Sequence, residues 1–427
     1  MKKIPLVLFL FIMILSSCTK TDDGGGSGDN PSGGDDTQLN YSYEISSFEL
    51  SLSDIVLDNN DNVYTYIKAD GDFILLSIDN AGNERWRKTL SNGSMTVGGN
   101  GIMISGGKVL LSYTYDQLAC YNTSDGSEVW DNTLNNSFTQ MAYSNGVVYV
   151  AQSSDVTSQS ELSAYDLSSG SKKWTELLIE HTESTVSVNG DFICISTRFD
   201  DNFVFKNVVT MYQDKGNSAM EVWSFNEICS GNNMIWPRKA IFDNSGAVLY
   251  ETGASDSCYI YSFDANLGTV NWKTLLSPLF PPKTVLLAGG ESIVATYSDD
   301  DFKGLNTAAV VDATSGNVKK ENSDIIGTVD YFEILLTGDM MSLVFNGEND
   351  EKIQLFDVDG NLSKTIDIDF YDGKVTYDLL DARIDSKGNL IMSLDKNIIS
   401  VNLKLVPPVS GTWSSKLGTN GNTNSLN

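Results

Sequence analysis

Few residue types in this chain of 427 residues could do chemistry. It contains one histidine, His181, five cysteines, and 56 acidic residues against 28 basic ones. A single imidazole excludes a metal site built from several histidines and makes a histidine-dependent triad a poor expectation. His181 is expected in a link between repeats, where a lone exposed histidine is solvated more often than catalytic. The sequence has no Gly-x-Ser-x-Gly elbow, no phosphate-binding glycine loop and no spaced Cys/His cluster. Carboxylates abound, yet no two stand out from the acidic background as an acid–base pair. The densest group is Asp299-Asp300-Asp301. Hard carboxylate oxygens suit Ca²⁺, and Asp299 and Asp301 are the candidate ligands, because three adjacent carboxylates cannot all converge on one ion. "DNNDN", from Asp58 to Asn62, has a calcium-like spacing, but "DNSG" and "DSKG" recur at equivalent places, and turn chemistry explains all three.

The thiols divide into three kinds. Cys18 follows a short basic region and an apolar run from Ile4 to Leu15, too short for a comfortable membrane span. Cys120 and Cys194 fall inside expected strands, where inert buried thiols are the rule. Cys229 and Cys258 fall in a link and a loop on one face at neighbouring positions, so a Cys229–Cys258 disulfide is expected. Closing a loop of that length would contribute roughly 3.5 kcal/mol in the chain-entropy picture.

The elements that must position these residues are repeats. "LACYNTSDGSEVWDNTL", "LSAYDLSSGSKKWTELL" and "IYSFDANLGTVNWKTLL" each read as an alternating strand, a turn with Asp or Asn and Gly, and a strand carrying Trp. "LLSIDNAGNERWRKTL" is the same unit with a shorter turn. The series Trp86, Trp130, Trp174, Trp223 and Trp272 has spacings of 44, 44, 49 and 49, and Trp413 is expected to close it. Two copies without Trp, "AVVDATSGNVKKEN" and "LFDVDGNLSKTI", fill the interval. Ahead of the copies lie hairpins such as "MAYSNGVVYVAQ", whose Asn-Gly turn tolerates positive φ. Each unit is therefore four antiparallel strands, A to D. The reading is an all-β chain folded as an eight-bladed β-propeller, with seven blades as the runner-up and with Tyr41 to Ser46 as a strand that helps close the ring.

The unit resembles the pyrroloquinoline-quinone (PQQ)-type propeller repeat, whose docking motif reads Ala-x-Asp-x-x-Thr-Gly-x-x-x-Trp. Ala164, Asp166, Ser169, Gly170 and Trp174 follow it, and Asn122, Gly126 and Trp130, or Asp264, Gly268 and Trp272, follow it in part. The resemblance implies that the six tryptophans dock adjacent blades and perform no chemistry. In its architecture and anchoring the chain is also similar to the propeller lipoprotein of the outer-membrane protein assembly machinery. Leu15-Ser16-Ser17-Cys18 resembles a bacterial lipobox, which implies removal of residues 1–17 and lipidation at Cys18. Residues 18–40, rich in Gly, Ser and Asp, read as a flexible tether, and 41–427 as the propeller. Lys20-Thr21-Asp22-Asp23 resembles the export signal of Bacteroidetes surface lipoproteins. Outer-membrane anchoring with the body at the cell surface is expected, and a periplasm-facing body is the alternative.

In such a blade the A–B and C–D turns share one face and the B–C loops occupy the other. The long, variable segments here are B–C loops, among them "RFDDNFVFKN", "SDDDFKGLN" and "NGENDE", so that face is assigned to binding. It should carry Asp200, Asp201, Asp299, Asp300, Asp301 and Asp350, more acid than average composition would place there. The net charge of −28 repels phosphate backbones and excludes nucleic acid as a partner. A protein or glycan partner and a monomeric propeller are expected, with no cofactor. PQQ enzymes typically carry an adjacent cysteine pair, and none occurs here. The competing reading is a PQQ-type or other oxidoreductase, or a glycan-acting enzyme. "MIWPRK", around Trp236, is the place for a carbohydrate contact, although a packed residue entering strand A explains it better.

Overall fold

The computed structural model describes residues 38–45, 48–51, 55–69, 72–90, 101–112, 116–135, 139–152, 159–179, 181–201, 204–229, 240–243, 245–254, 257–277, 286–289, 292–298, 305–326, 328–334, 340–345, 351–357, 359–367, 379–394 and 397–405. Cys18, Trp236, Asp299, Asp300, Asp301, Asp350 and Trp413 lie outside them. The described residues form eight antiparallel sheets and no helix.

Seven sheets take their strands in simple chain order. The third is typical, with Thr139–Ser144, Val147–Gln152, Gln159–Asp166 and Lys172–Ile179 as strands A to D. Burial along the strands explains the sequence pattern. Strand B, Val147–Gln152, is buried at every position because neighbouring sheets cover both its faces. The outermost strand of the second sheet, Glu128–Thr133, exposes Glu128, Asp131 and Thr133 and covers the residues between them. In the first sheet strand A is broken, so that Phe48–Ser51 and Val56–Leu57 both pair with Val63–Ala69.

The core is a series of seams rather than one interior. Met103, Leu110, Cys120 and Trp130 of the second sheet pack on Met141, Val148, Val150 and Tyr165 of the third. Comparable clusters join the first sheet to the second, the third to the fourth, the fourth to the fifth, the seventh to the eighth and the eighth to the first. Burying each such aliphatic side chain contributes about 1.5–3 kcal/mol.

The eighth sheet breaks the chain order and thereby closes the ring. Its first three strands are Leu379–Ile384, Asn389–Leu394 and Asn397–Asn402, and its outermost strand is Gln38–Glu44, paired antiparallel with Asn397–Asn402. The closing strand expected from Tyr41 to Ser46 thus starts earlier, at Gln38, and takes the last residues of the segment read as tether. Because Gln38–Glu44 fills the outer position, the eighth unit has no need of a Trp413-bearing strand there. On the inner side of the same seam, Asp381 Oδ2 accepts the Ile55 N–H at 2.9 Å, and Asp381 Oδ1 holds Arg383 Nη1 at 2.6 Å. Asp61 accepts the Ser386 N–H and hydroxyl at 2.8 and 2.7 Å.

Candidate functional site

At most described seams an aromatic ring of one sheet lies on the C–D turn of the next. Trp86 Nε1 donates to Thr123 O at 3.0 Å, Trp130 to Leu167 O at 2.8 Å, Trp223 to Ala265 O at 2.8 Å and Trp272 to Ala313 O at 3.0 Å. The turn glycine makes room for the ring. At Gly170, with φ of 71°, a β-carbon would sit 2.6 Å from the Trp130 ring, and the same approach recurs at Gly126, Gly268 and Gly316. The aspartate that opens the turn is spent on the turn itself. Asp166 Oδ1 accepts the Ser168 hydroxyl at 2.6 Å, the Ser169 hydroxyl at 2.9 Å and both of their N–H groups. Those bonds, the Ser168 hydroxyl foremost, hold its carboxyl below the usual aspartate range.

Three seams depart from this pattern. Trp174 Nε1 donates to a side chain, Asp214 Oδ1, at 3.0 Å, and Asp214 also accepts Tyr149 OH at 2.8 Å and the Gly216 N–H at 2.7 Å. Burial and the hydrogen bond to Asp214 push the Tyr149 phenol well up. In the sixth sheet, Lys320 stands where the repeat has Trp, and its Nζ reaches Asn361 Oδ1 at 2.9 Å. At the ring closure, the Tyr41 ring lies where a β-carbon on Gly82 would be, 2.6 Å away. Trp413, the residue expected to complete the series, lies outside the described residues. Sequence reasoning missed Asp214, Lys320 and Tyr41, although counting four residues on from Gly316 identifies Lys320.

On the B–C side, Asp200 and Asp201 do not sit in a loop. They end the strand Phe192–Asp201 and pair with Phe205 and Val204 of the next strand, Val204–Asp214. The "RFDDNFVFKN" segment is thus a hairpin extension, because its apolar residues allow the ladder to continue. The outer strand, Ala219–Cys229, follows this extension, and Cys229 pairs with Phe205. The fourth sheet therefore has strands of 9, 10, 11 and 11 residues, the longest ladder among the described sheets. His181 begins its strand A rather than lying in a link. Cys229 and Cys258 likewise belong to strands, the last residue of Ala219–Cys229 and the second of Ser257–Phe263. Among the described residues no cluster of His, Cys, Asp and Glu could hold a metal ion. Asp116, in the B–C segment of the second sheet, is exposed. The opposite side is also rich in aspartate, but there carboxylates such as Asp166 and Asp357 are engaged in their own turns.

The described thiols do not fit a quinone site. Cys120 and Cys194 are buried in different sheets, and burial pushes the Cys120 thiol up to about 12 and the Cys194 thiol higher. The five described indoles of the repeat are committed to the seams, four to backbone carbonyls and one to Asp214. The described residues thus supply neither an adjacent thiol pair nor an unengaged repeat indole for PQQ.

No curated protein sequence matches the chain. The family described as outer membrane protein assembly factor BamB matches residues 71–217. Among solved structures, BamB from Moraxella catarrhalis aligns with a TM-score of 0.50 at 12% identity, over 86% of this chain and 97% of that one. Quinohemoprotein alcohol dehydrogenase from Comamonas testosteroni aligns with a TM-score of 0.53 at 11% identity, over 88% of this chain and 78% of that one. The computationally designed protein Ika8 aligns with a TM-score of 0.58 at 12% identity, over 84% of this chain and 98% of that one. An assembly factor, an enzyme and a designed protein share the architecture, so the likeness carries fold and not activity. With its seams and turns the chain is a β-propeller, and its repeats over residues 71–217 are PQQ-like.

Proposed function

We propose that this propeller is a non-catalytic cell-envelope module, anchored through a lipid on Cys18, that presents its B–C side to a protein or glycan partner. The observation that carries the reading is the fourth sheet, whose strands continue as a paired hairpin into that side. Binding surfaces benefit from such preorganisation, because less conformational freedom is lost on association. The seam indoles have structural partners, which favours a scaffold over a redox centre. The name of the similar assembly factor BamB points the same way. Acids at Asp200, Asp201, Asp299, Asp300, Asp301 and Asp350 would give this side negative potential and favour a cationic partner. The alternative, a PQQ-type or other propeller enzyme with Ca²⁺ at Asp299 and Asp301, draws on the dehydrogenase likeness.

Two positions in one sheet test the reading. A photo-crosslinking residue at Asp116 lies at the B–C end of the second sheet, and one at Asp125 lies at its C–D turn. Crosslinks to a defined envelope partner are expected from Asp116 and not from Asp125, and the reverse pattern would reject the assignment of the face. Dye reduction by the purified protein with PQQ and Ca²⁺ would instead establish the enzyme reading. Replacement of Cys18 by Ala should abolish incorporation of labelled fatty acid.

A further inference from the structure

The outermost strand of the eighth sheet differs from the other seven in its covalent attachment. Gln38–Glu44 joins the rest of the ring only through residues 45–47, and its ladder partners all lie at the far end of the chain, in Asn397–Asn402. Leu39, Asn40, Ser42 and Glu44 are exposed, and the strand is held by its backbone ladder, by a bond from Asn40 Nδ2 to Ser400 Oγ at 3.2 Å and by two rings. Tyr41 occupies the gap over Gly82. Tyr43 OH donates to Glu84 Oε2 at 2.6 Å and accepts Arg87 Nη2 at 3.2 Å, while Arg87 is paired with Glu84. The inner half of the seam does not involve the strand, since Asp381 with Ile55, and Asp61 with Ser386, close it independently.

The occupant is imperfect. The Tyr41 hydroxyl is buried without a hydrogen-bond partner. Burial raises the phenol's pKa, and the charges of Asp385, Asp79 and Asp61 add to the effect. A buried hydroxyl without a partner weakens the contact that holds the strand. A phenylalanine in the same gap would bring the ring without that penalty.

We propose that the outer edge of the eighth sheet is an exchangeable strand-acceptor site, from which Gln38–Glu44 can be displaced by an extended segment of a partner protein. The segment it fits has an aromatic residue to lie over Gly82 and a phenol two positions later to meet Glu84 and Arg87. Phenylalanine is preferred to tyrosine at the first position. The backbone ladder supplies affinity and the two ring positions supply specificity, as in strand addition generally. Exchange leaves the ring intact because the inner seam holds.

The test uses the full chain and a fluorescent peptide with the sequence of residues 36–46. Saturable uptake is expected, with the peptide carrying Tyr41→Phe binding about tenfold tighter and the peptide carrying Tyr41→Gly failing to bind. Full-length protein with Gln38→Cys and Asn402→Cys, which are register partners, should refuse the peptide when oxidised and accept it when reduced. Tyr41→Ser in the full chain should raise uptake, because the resident strand is weakened. No uptake by the wild-type chain after overnight incubation, uptake unaffected by oxidation of the lock, or equal binding of the Phe and Gly peptides would each overturn the proposal.

Discussion

Asp214 shows how one carboxylate can substitute for a turn. Elsewhere the docking indole donates to a backbone carbonyl, but Trp174 donates to Asp214, which also takes the Tyr149 hydroxyl and the Gly216 N–H. Removing the acceptor would leave an indole and a phenol unpaired. Asp214→Ala is expected to destabilise the protein by about 2–3 kcal/mol in denaturant unfolding, and Asp214→Asn by less, because its amide oxygen still accepts. Asp166 makes a different prediction, about pH. Its folded pKa lies below the unfolded value, so its turn contributes stability above the unfolded aspartate pKa of about 4 and loses it as pH falls through the folded value. Asp166→Ala should therefore cost roughly 1 kcal/mol near neutral pH. The gap between variant and wild type should close as the solution is acidified below the wild-type pKa. A gap that stayed constant to low pH would show that the carboxylate charge contributes nothing to the turn.

At the scale of elements, the seams let two kinds of glycine be told apart. Gly170 and Gly216 both sit at positive φ, 71° and 88°, but a β-carbon would strike the Trp130 ring at Gly170 and meets nothing within 4 Å at Gly216. Gly216→Ala should therefore cost only the backbone penalty, about 1 kcal/mol. Gly170→Ala should cost about 3 kcal/mol once the displaced ring is included, and thermal unfolding of the pair would measure the difference. The regular hairpins and the Trp-bearing strands were legible in the sequence because local rules set them: alternation, Asn-Gly turns, and a ring four residues after the turn glycine. What was not legible depended on distant parts of the chain. A closing strand was legible from Tyr41 to Ser46, but its bounds at Gln38–Glu44 and its place as the outer strand of the last sheet come only from its pairing with Asn397–Asn402. Tyr41 has no repeat around it that would reveal its partner, Gly82. The Asp200–Asp201 hairpin reads as a loop by its polarity, and the ladder to Phe205 and Val204 overrides that composition.

The whole chain carries a net charge of −28, nearly all of it on residues beyond 37. Like charges at this density repel one another more in the compact ring than in the expanded unfolded chain. Two opposing electrostatic terms follow. The turn aspartates favour the folded state because they accept hydrogen bonds locally, and salt affects such short contacts little. Summed repulsion disfavours the folded state, acts over distances comparable with the Debye length of about 10 Å at 0.1 M ionic strength, and is screened. Raising sodium chloride from low to physiological strength should therefore stabilise the protein, with the thermal midpoint moving up by about 4 °C for each 1 kcal/mol of repulsion removed, or less in a chain of this size. The same increment in Asp166→Ala should be nearly unchanged, because the local turn bonds and the long-range repulsion are separate terms. Measuring both proteins across a salt series distinguishes them. A midpoint that fell with salt would mean that attractive ion pairs, such as Arg383 with Asp381 inside the eighth sheet, outweigh the repulsion of the whole.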